Sequence, residues 1–164
     1  MTLLRASAMA LPLGDASVDA AAACLVLNFV PEPVAALREM RRVTAPGGRV
    51  AVCVGDYAQR MEMISHYWSV AATLGLMAPD ESQGERFPIC APDALAAAFG
   101  EAGLQDVEGT ALELEMRFAD FDDYWRPFLA GQGPAPAHAM RQSEPDRERL
   151  REALRERLPT QSDG

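Results

Sequence analysis

The stretch from Asp15 to Asp56 restricts the fold of this chain more than any other segment, because its apolar pattern changes period twice. Ala20 to Leu27 is an uninterrupted apolar run, which is typical of a parallel strand covered on both faces. A helical period then begins at Pro33. A second apolar run extends from Arg49 to Val54. Two parallel strands joined by a covering helix form a right-handed βαβ unit, so the sequence predicts an α/β fold.

Prolines and glycines mark the limits of the predicted helix. Pro31 cannot continue the first strand, and Pro33 is tolerated in a first helical turn because its missing N–H would be unpaired there. The sequence Pro46-Gly47-Gly48 is expected to end the helix, since glycine adopts positive φ readily and proline cannot continue a helix. These signals predict a short, sharply bounded helix between the two strands.

The same residues resemble a known family. The order MALPLGDASVDAAAACLVLNFVPEPVAALREMRRVTAPGGRVAV, from Met9 to Val54, is similar to the second half of a class I S-adenosylmethionine-dependent methyltransferase of the type-11 group. The shared features are an Ala-Met-x-Leu-Pro turn, an Asp-x-Ser-Val-Asp segment before one strand, and Arg-Val-x-x-Pro-Gly-Gly before the next. Later segments, RFPIC, EAGL and FADFDDYW, extend the resemblance over roughly the whole chain.

The resemblance implies a Rossmann-like methyltransferase sheet, here incomplete, as the second half of a three-layer αβα sandwich. Residues 1–164 are expected to form one partial domain, with a sheet core over 1–56, a lid-like helix and loop over 57–90, and C-terminal helices with an edge strand over 91–164. The family carries a glycine-rich turn and an acidic ribose ligand in earlier strand-helix units. No G-x-G turn follows an apolar strand in this sequence, so we expect a truncated piece with little activity alone.

The resemblance also implies a cofactor site for S-adenosyl-L-methionine. Its residues in this sequence are Ser7, Ala8, Met9, Cys24, Leu25 and Asn28. The family commonly has an acidic residue where this chain has Ser7, and a hydroxyl cannot act as a charged acceptor, so an ordinary loop serine is the alternative. For Asn28 the alternative is a cap of the turn at Pro31 to Pro33.

Four aromatic or apolar residues are assigned by the resemblance to the pocket of the methyl acceptor. They are Tyr57, Met61, Trp68 and Trp125. Three of them lie on or before a predicted helix from Arg60 to Leu74, interpreted as a lid, although a helix with two apolar stripes also fits a core helix. The acceptor is expected to be a small, partly apolar molecule of unspecified identity. Methyl transfer by direct displacement needs positioning of donor and acceptor, so no catalytic side chain is predicted.

Composition disfavours several other classes. A net charge of -9 opposes binding to nucleic acid, which needs clustered basic residues. No apolar run reaches bilayer length, so no membrane span is predicted. The cysteines Cys24, Cys53 and Cys90 lack metal-binding spacing, and two of them are expected to be buried in strands as small hydrophobes. No metal is therefore expected, and a reducing cytoplasm is the predicted location.

The second half of the chain is predicted to contain helices and one strand. A helix is expected over Ala91 to Ala102. Strict alternation from Leu112 to Phe118 predicts a strand with one wet face at an edge of the sheet. Asp120 and Ser143 are positioned to cap the helices that follow them. Gly131 to Ala137 is expected to be a loop, and His138 is also expected in a loop.

Two functional hypotheses from different classes follow. The first is methyl transfer from S-adenosylmethionine, assigned by resemblance, because fold alone does not determine function. The alternative is a noncatalytic half-domain that binds a partner chain, or a second copy of itself, through the uncovered edge of the strand from Ala20 to Leu27. A nicotinamide or nucleotide enzyme of related architecture is disfavoured because the glycine-rich turn is missing.

Overall fold

The structure is a computed structural model that describes residues 3–57, 60–79 and 81–159. Its strands and α-helices are β1 (Val18–Cys24), α1 (Pro33–Val43), β2 (Thr44–Cys53), α2 (Glu62–Thr73), α3 (Gln83–Arg86), α4 (Pro92–Glu101), α5 (Phe121–Trp125), α6 (Pro134–Arg141) and α7 (Glu144–Arg157). Short 3-10 helices cover Leu27–Phe29, Pro88–Cys90 and Arg126–Ala130. The described residues group into a sheet unit within Met1–Asp56 and Phe87–Thr110, and a helical unit within Tyr57–Arg86 and Ala111–Gly164.

The sheet unit is built on the βαβ motif that the sequence predicts. β1 and β2 pair in parallel, with Ala20 opposite Arg49 and Cys24 opposite Cys53 at the two ends of the regular register. α1 connects them and begins with Pro33 in its first turn, as predicted. β1 ends at Cys24, three residues before the predicted end at Leu27, because a 3-10 helix begins at Leu27.

Helices cover one face of this two-stranded sheet. Side chains that alternate along the strands pack against the apolar cluster of α1 and α4; they are Ala21, Ala23, Val50, Val52 and Val54. The intervening side chains are exposed; they are Ala20, Ala22, Cys24, Ala51 and Cys53. The expectation that β1 is covered on both faces is therefore wrong for the described residues, and so is the expected burial of Cys24 and Cys53. A strand side chain is buried only where another layer packs on its face.

The pairing of β1 with β2 is irregular at the start of β2, where the glycine turn lies. Val18 lies opposite Thr44 but Ala20 lies opposite Arg49, so the residues just after Thr44 have no counterparts in β1. The helix ends at Val43, ahead of Pro46-Gly47-Gly48, because Thr44 is already extended. A Cβ on Gly48 would lie 2.5 Å from both the Asp19 carbonyl oxygen and Thr44 Cγ2, so the close approach of the backbones requires glycine.

An ion-pair network joins α1 to the segment that precedes β1. The Arg42 guanidinium donates to Glu39 at 2.8 Å and to Asp15 at 2.6 Å, and it also donates to the carbonyl oxygens of Leu11 and Leu13. The Leu11 N–H donates to Glu39 at 2.9 Å. The Arg42 hydrogen bond and then the Leu11 N–H lower the pKa of Glu39 to about 2. The charged carboxylate therefore helps to hold this segment on the helix.

The helical unit has its own apolar core around α2 and α7. Tyr67, Phe128, Leu150 and Leu154 are fully buried there, and Tyr67 stacks on Phe128 with ring centroids 4.7 Å apart. Two predicted caps are confirmed. Asp120 accepts from the Asp123 N–H at 2.7 Å, and Ser143 accepts from the Asp146 N–H at 3.2 Å. No helix in the described ranges has both the length and the apolar character needed to cross a bilayer.

Two sequence predictions fail in the second half of the chain. The residues from Leu112 to Phe118 form no strand, and the side chains of Leu112, Leu114 and Met116 are 80%, 86% and 59% exposed. Alternation alone does not make a strand, which is stabilised by a hydrogen-bonded neighbour and a buried face. His138, which was expected in a loop, lies in α6, because the helix begins at Pro134.

Candidate functional site

The carboxyl ends of β1 and β2 form the edge at which open α/β sheets bind ligands. Leu25 follows β1 directly and donates its N–H to the Cys53 carbonyl oxygen at 2.7 Å. Its φ of 54° lies in the left-handed region, which is unfavourable for a residue with a branched side chain. Such backbone strain costs on the order of 1–3 kcal/mol and concentrates at functional sites. The strained residue thus marks the end of β1 as a candidate functional site.

Asn28 carries an unpaired amide at this edge. Its side chain is only 7% exposed, and neither its oxygen nor its nitrogen has a hydrogen-bond partner. The capping alternative does not apply, because the Asn28 side chain makes no hydrogen bond to the turn at Pro31 to Pro33. Leaving a buried amide unpaired costs about 1–3 kcal/mol in proteins. A polar ligand group that both donates and accepts would offset that cost.

An apolar groove of about 390 Å³ runs along the open edge of β1 and the adjacent side of α1. The predicted cofactor residues Ala8 and Cys24 line it, together with Val26 and Leu27, which the sequence prediction omitted. The α1 side is formed by Ala36, Met40 and Val43. A strand edge beside an apolar helix face presents both unpaired backbone groups and apolar surface.

The other two predicted cofactor residues of the lead-in segment have structural contacts. Ser7 is exposed, and its Oγ accepts from the Met9 N–H at 3.2 Å inside a turn closed by a Ser7–Ala10 bridge. Met9 is half-buried and packs against the apolar cluster of the sheet unit. The loop-serine alternative describes the observed contacts of Ser7.

Apolar side chains surround the end of β1 on its exposed side. Leu25, Val26 and Phe29 are 58%, 46% and 57% exposed. The Phe29 ring meets Phe87 edge to face with centroids 5.1 Å apart. Burial, and then the negative charge of Asp56, raise the pKa of the Cys90 thiol in the same unit, so this cysteine stays protonated. The edge therefore combines one buried amide with an apolar surface.

The four predicted acceptor residues all lie in the helical unit. Trp68 is buried and donates its Nε1–H to Gln83 Oε1 at 3.0 Å, so the core-helix alternative describes it. Trp125 is also buried, yet it borders a cleft of about 440 Å³ whose other walls are mostly charged. Met61 precedes α2 and its carbonyl oxygen accepts from the helix, while the Tyr57 side chain is half-buried.

The sequence analysis did not predict a buried hydrogen-bond network in the helical unit. His138 is 1% exposed, and its Nδ1 lies 2.6 Å from the Tyr67 hydroxyl while its Nε2 lies 2.8 Å from the Leu76 carbonyl oxygen. Burial raises the pKa of Tyr67, so its hydroxyl stays protonated and donates. His138 then accepts at Nδ1 and donates from Nε2 to the Leu76 carbonyl oxygen. Across the described residues no group of three or more metal-ligating side chains occurs.

Comparisons with known proteins show similarity to methyltransferases over part of the chain. Residues 1–52 match the family model described as Methyltransferase domain, a segment that includes β1, α1 and most of β2. An uncharacterized methyltransferase of Mycobacteroides abscessus is 42% identical over 74 residues, which are 43% of this chain and 29% of that protein. One of Mycobacterium leprae is 34% identical over 112 residues, which are 60% of this chain and 42% of that protein.

The chain therefore spans less than half the length of the curated relatives it matches. No solved structure matches it. The resemblance drawn from the sequence is confirmed: residues 1–52 match a methyltransferase domain, and the relatives are named as methyltransferases.

Proposed function

We propose that the chain takes part in S-adenosylmethionine-dependent transfer of a methyl group to a small, partly apolar acceptor, because residues 1–52 match a methyltransferase domain. The observation that carries the proposal is the match of the β1–α1–β2 segment to that domain. The carboxyl edge of the same segment, with strained Leu25 and the unpaired amide of Asn28, supports the location of the site. A cytoplasmic location stays a prediction.

The residues at this edge fit part of the methyl donor. The Asn28 amide both donates and accepts, which suits the amino-acid or ribose portion of S-adenosylmethionine. Backbone groups at Cys24 and Leu25, with Ala8 on the groove, would lie beside it. No G-x-G turn follows an apolar strand in this sequence to approach the rest of the molecule, so we expect weak binding by this chain alone.

When bound, S-adenosylmethionine supplies a methyl group on a positively charged sulfur. The part of this chain is to bind and orient, because direct displacement depends on the alignment of donor and acceptor. Asn28 would fix the donor by hydrogen bonds, and the exposed side chains of Leu25, Val26 and Phe29 would contact an apolar acceptor and exclude water. These apolar side chains support the proposed acceptor class.

Titration of the ¹⁵N-labelled chain with S-adenosylhomocysteine, the unreactive product, tests the proposal. We expect shifts of the Asn28 side-chain NH₂ signals and of the Leu25 amide at millimolar ligand, and no micromolar binding by calorimetry. The variant Asn28→Leu should lose the shift of the Leu25 amide, while Gln83→Leu in the helical unit should retain both shifts. Shifts confined to the helical unit, or none at the solubility limit, would refute the assignment of this edge.

The apolar groove favours a second candidate function, the binding of a partner chain at the edge of β1. We propose a second copy of the chain as the partner. Antiparallel pairing of two β1 strands centred on Ala21 places Asp19 opposite Ala23 and never opposite another Asp19. The net charge of -9 on each copy opposes association and is screened by salt.

Sedimentation velocity over a range of concentration and salt tests this second function. We expect dimers that become more stable as salt increases. Ala22→Arg, on the exposed face of β1, should weaken them, while Ala72→Arg, exposed on α2, should not. A monodisperse monomer at every concentration would show that this edge does not bind a second copy.

A further inference from the structure

Two cysteines stand side by side at the carboxyl ends of the two strands. Cys24 is the last residue of β1, Cys53 is the last residue of β2, and the two are direct partners in the parallel register. Neighbouring strands lie about 4.8 Å apart, which sets the separation of their Cα atoms. Disulfides span Cα separations of about 4.4–6.8 Å, so the two residues are within bridging distance.

Both thiols project from the same face of the sheet. Directly paired residues share a face, and side chains alternate along each strand. Their neighbours Ala23 and Val52 pack towards the helices, so Cys24 and Cys53 project from the opposite, exposed face. Both are free cysteines, whereas Cys90, the third, is buried. Small oxidants can therefore reach this pair and are excluded from Cys90.

We propose that Cys24 and Cys53 form a redox-active dithiol that closes to a cross-strand disulfide by exchange with a low-molecular-weight disulfide such as oxidised glutathione. One thiolate attacks the small disulfide, forms a mixed disulfide and releases one glutathione thiol. The second thiolate attacks the protein sulfur of that mixed disulfide and releases the second glutathione thiol. The protein pair gives up two electrons, and the two protons of its thiols end on the two glutathione molecules.

The geometry makes this bond reversible. The Cβ atoms of directly paired residues in a parallel sheet point alongside each other, not towards each other, so closure strains the bridge. Strained and exposed disulfides are the ones that cellular thiols reduce readily. The bridge would join the two strand ends next to Leu25, and Cys24 also lines the apolar groove, so its formation would alter the proposed ligand edge.

Incubation of the reduced chain with excess oxidised glutathione, followed by intact mass and peptide mapping, tests the dithiol. We expect the loss of two hydrogen atoms per chain, a Cys24–Cys53 linkage within a monomer, and full reversal by reduced glutathione. Cys53→Ser should instead keep one glutathione at Cys24, because the resolving thiol is missing. Cys90→Ser is the matched control and should behave like the original chain.

Every other product contradicts the proposal. Stable adducts on both Cys24 and Cys53, a bridge between two chains, a bridge to Cys90, or no reaction under native conditions would each show that the pair does not close. Reaction of the denatured chain, in which all three thiols are accessible, confirms that the reagent is active. The result is independent of cofactor binding, so it stands whether or not methyl transfer is the function.

Discussion

Replacing Asn28 with leucine should stabilise the sheet unit, against the usual effect of a buried substitution. The two side chains have the same number of heavy atoms and a similar shape, so Asn28→Leu exchanges two unpaired polar atoms for methyl groups without a cavity. The amide is 7% exposed and has no hydrogen-bond partner, so nothing is lost when it is removed. Natural proteins retain such costs where a polar group serves a ligand.

The magnitude follows from the cost of desolvating the amide. An unpaired buried polar group costs about 1–3 kcal/mol, and the leucine methyl groups also gain from burial next to Leu27. We therefore expect the free energy of opening the sheet unit to rise by about 1–3 kcal/mol. This corresponds to a roughly 5- to 150-fold slowing of amide hydrogen exchange in β1 and α1.

Hydrogen exchange measured on peptides is the suitable assay. Both tryptophans, Trp68 and Trp125, lie in the helical unit, so their fluorescence does not report on the sheet unit. Gln83→Leu is the matched control: it removes a buried amide that has a partner, leaves the Trp68 Nε1–H unpaired, and should destabilise the helical unit. Faster exchange in β1 and α1 of Asn28→Leu would show that the Asn28 amide is hydrogen-bonded in solution and refute the reasoning.

Three further predictions concern stability. The folded-state pKa of Glu39, about 2, lies below its ordinary value of 4.5, so its contribution to folding stability is present above pH 4.5 and is lost as the pH falls towards 2. The free energy of unfolding measured from pH 6 to 2 should therefore depend less on pH in Glu39→Gln, and an unchanged profile would contradict the pairing. Tyr67→Phe removes the donor to His138 and should lower the free energy of unfolding by about 1–3 kcal/mol, as measured by tryptophan fluorescence in urea. An unchanged free energy of unfolding would mean that another group pairs with the imidazole. Gly48→Ala should destabilise the sheet unit by about 1–3 kcal/mol, because the added Cβ would collide with backbone atoms, while Gly14→Ala, with open space around it, should change the stability by no more than about 0.5 kcal/mol. Hydrogen exchange measures both changes, and equal effects would be inconsistent with the close approach of the backbones at Gly48.

Local chemistry explains the parts of the fold that could be predicted. Pro33 starts α1, and the Asp120 and Ser143 caps start later helices, because a proline ring or a capping oxygen acts within one helical turn. The change from an apolar run to a helical period likewise predicts the βαβ unit without reference to distant residues. The resemblance to methyltransferases rests on the same stretch, which the family match confirms.

Burial and pairing could not be predicted in the same way. The alternation from Leu112 to Phe118 is real, but the segment has no strand partner and its apolar side chains stay exposed. The apolar runs indicated strands covered on both faces, yet the helices lie on one face and leave Cys24 and Cys53 exposed. The sheet face that the helices cover is determined by segments far away along the chain, so a local sequence pattern does not predict it.

The sequence by itself determined the βαβ unit, the starts of α1, α5 and α7 set by proline or capping residues, and the similarity of the first third to a methyltransferase domain. Only the tertiary structure decided that Asn28 is buried without a partner, that Cys24 stands beside Cys53, and that Trp68 belongs to the core. Periodicity and capping depend only on residues that are close together in the sequence. Strand register, desolvation and hydrogen-bond pairing arise only when segments distant in the chain come into contact.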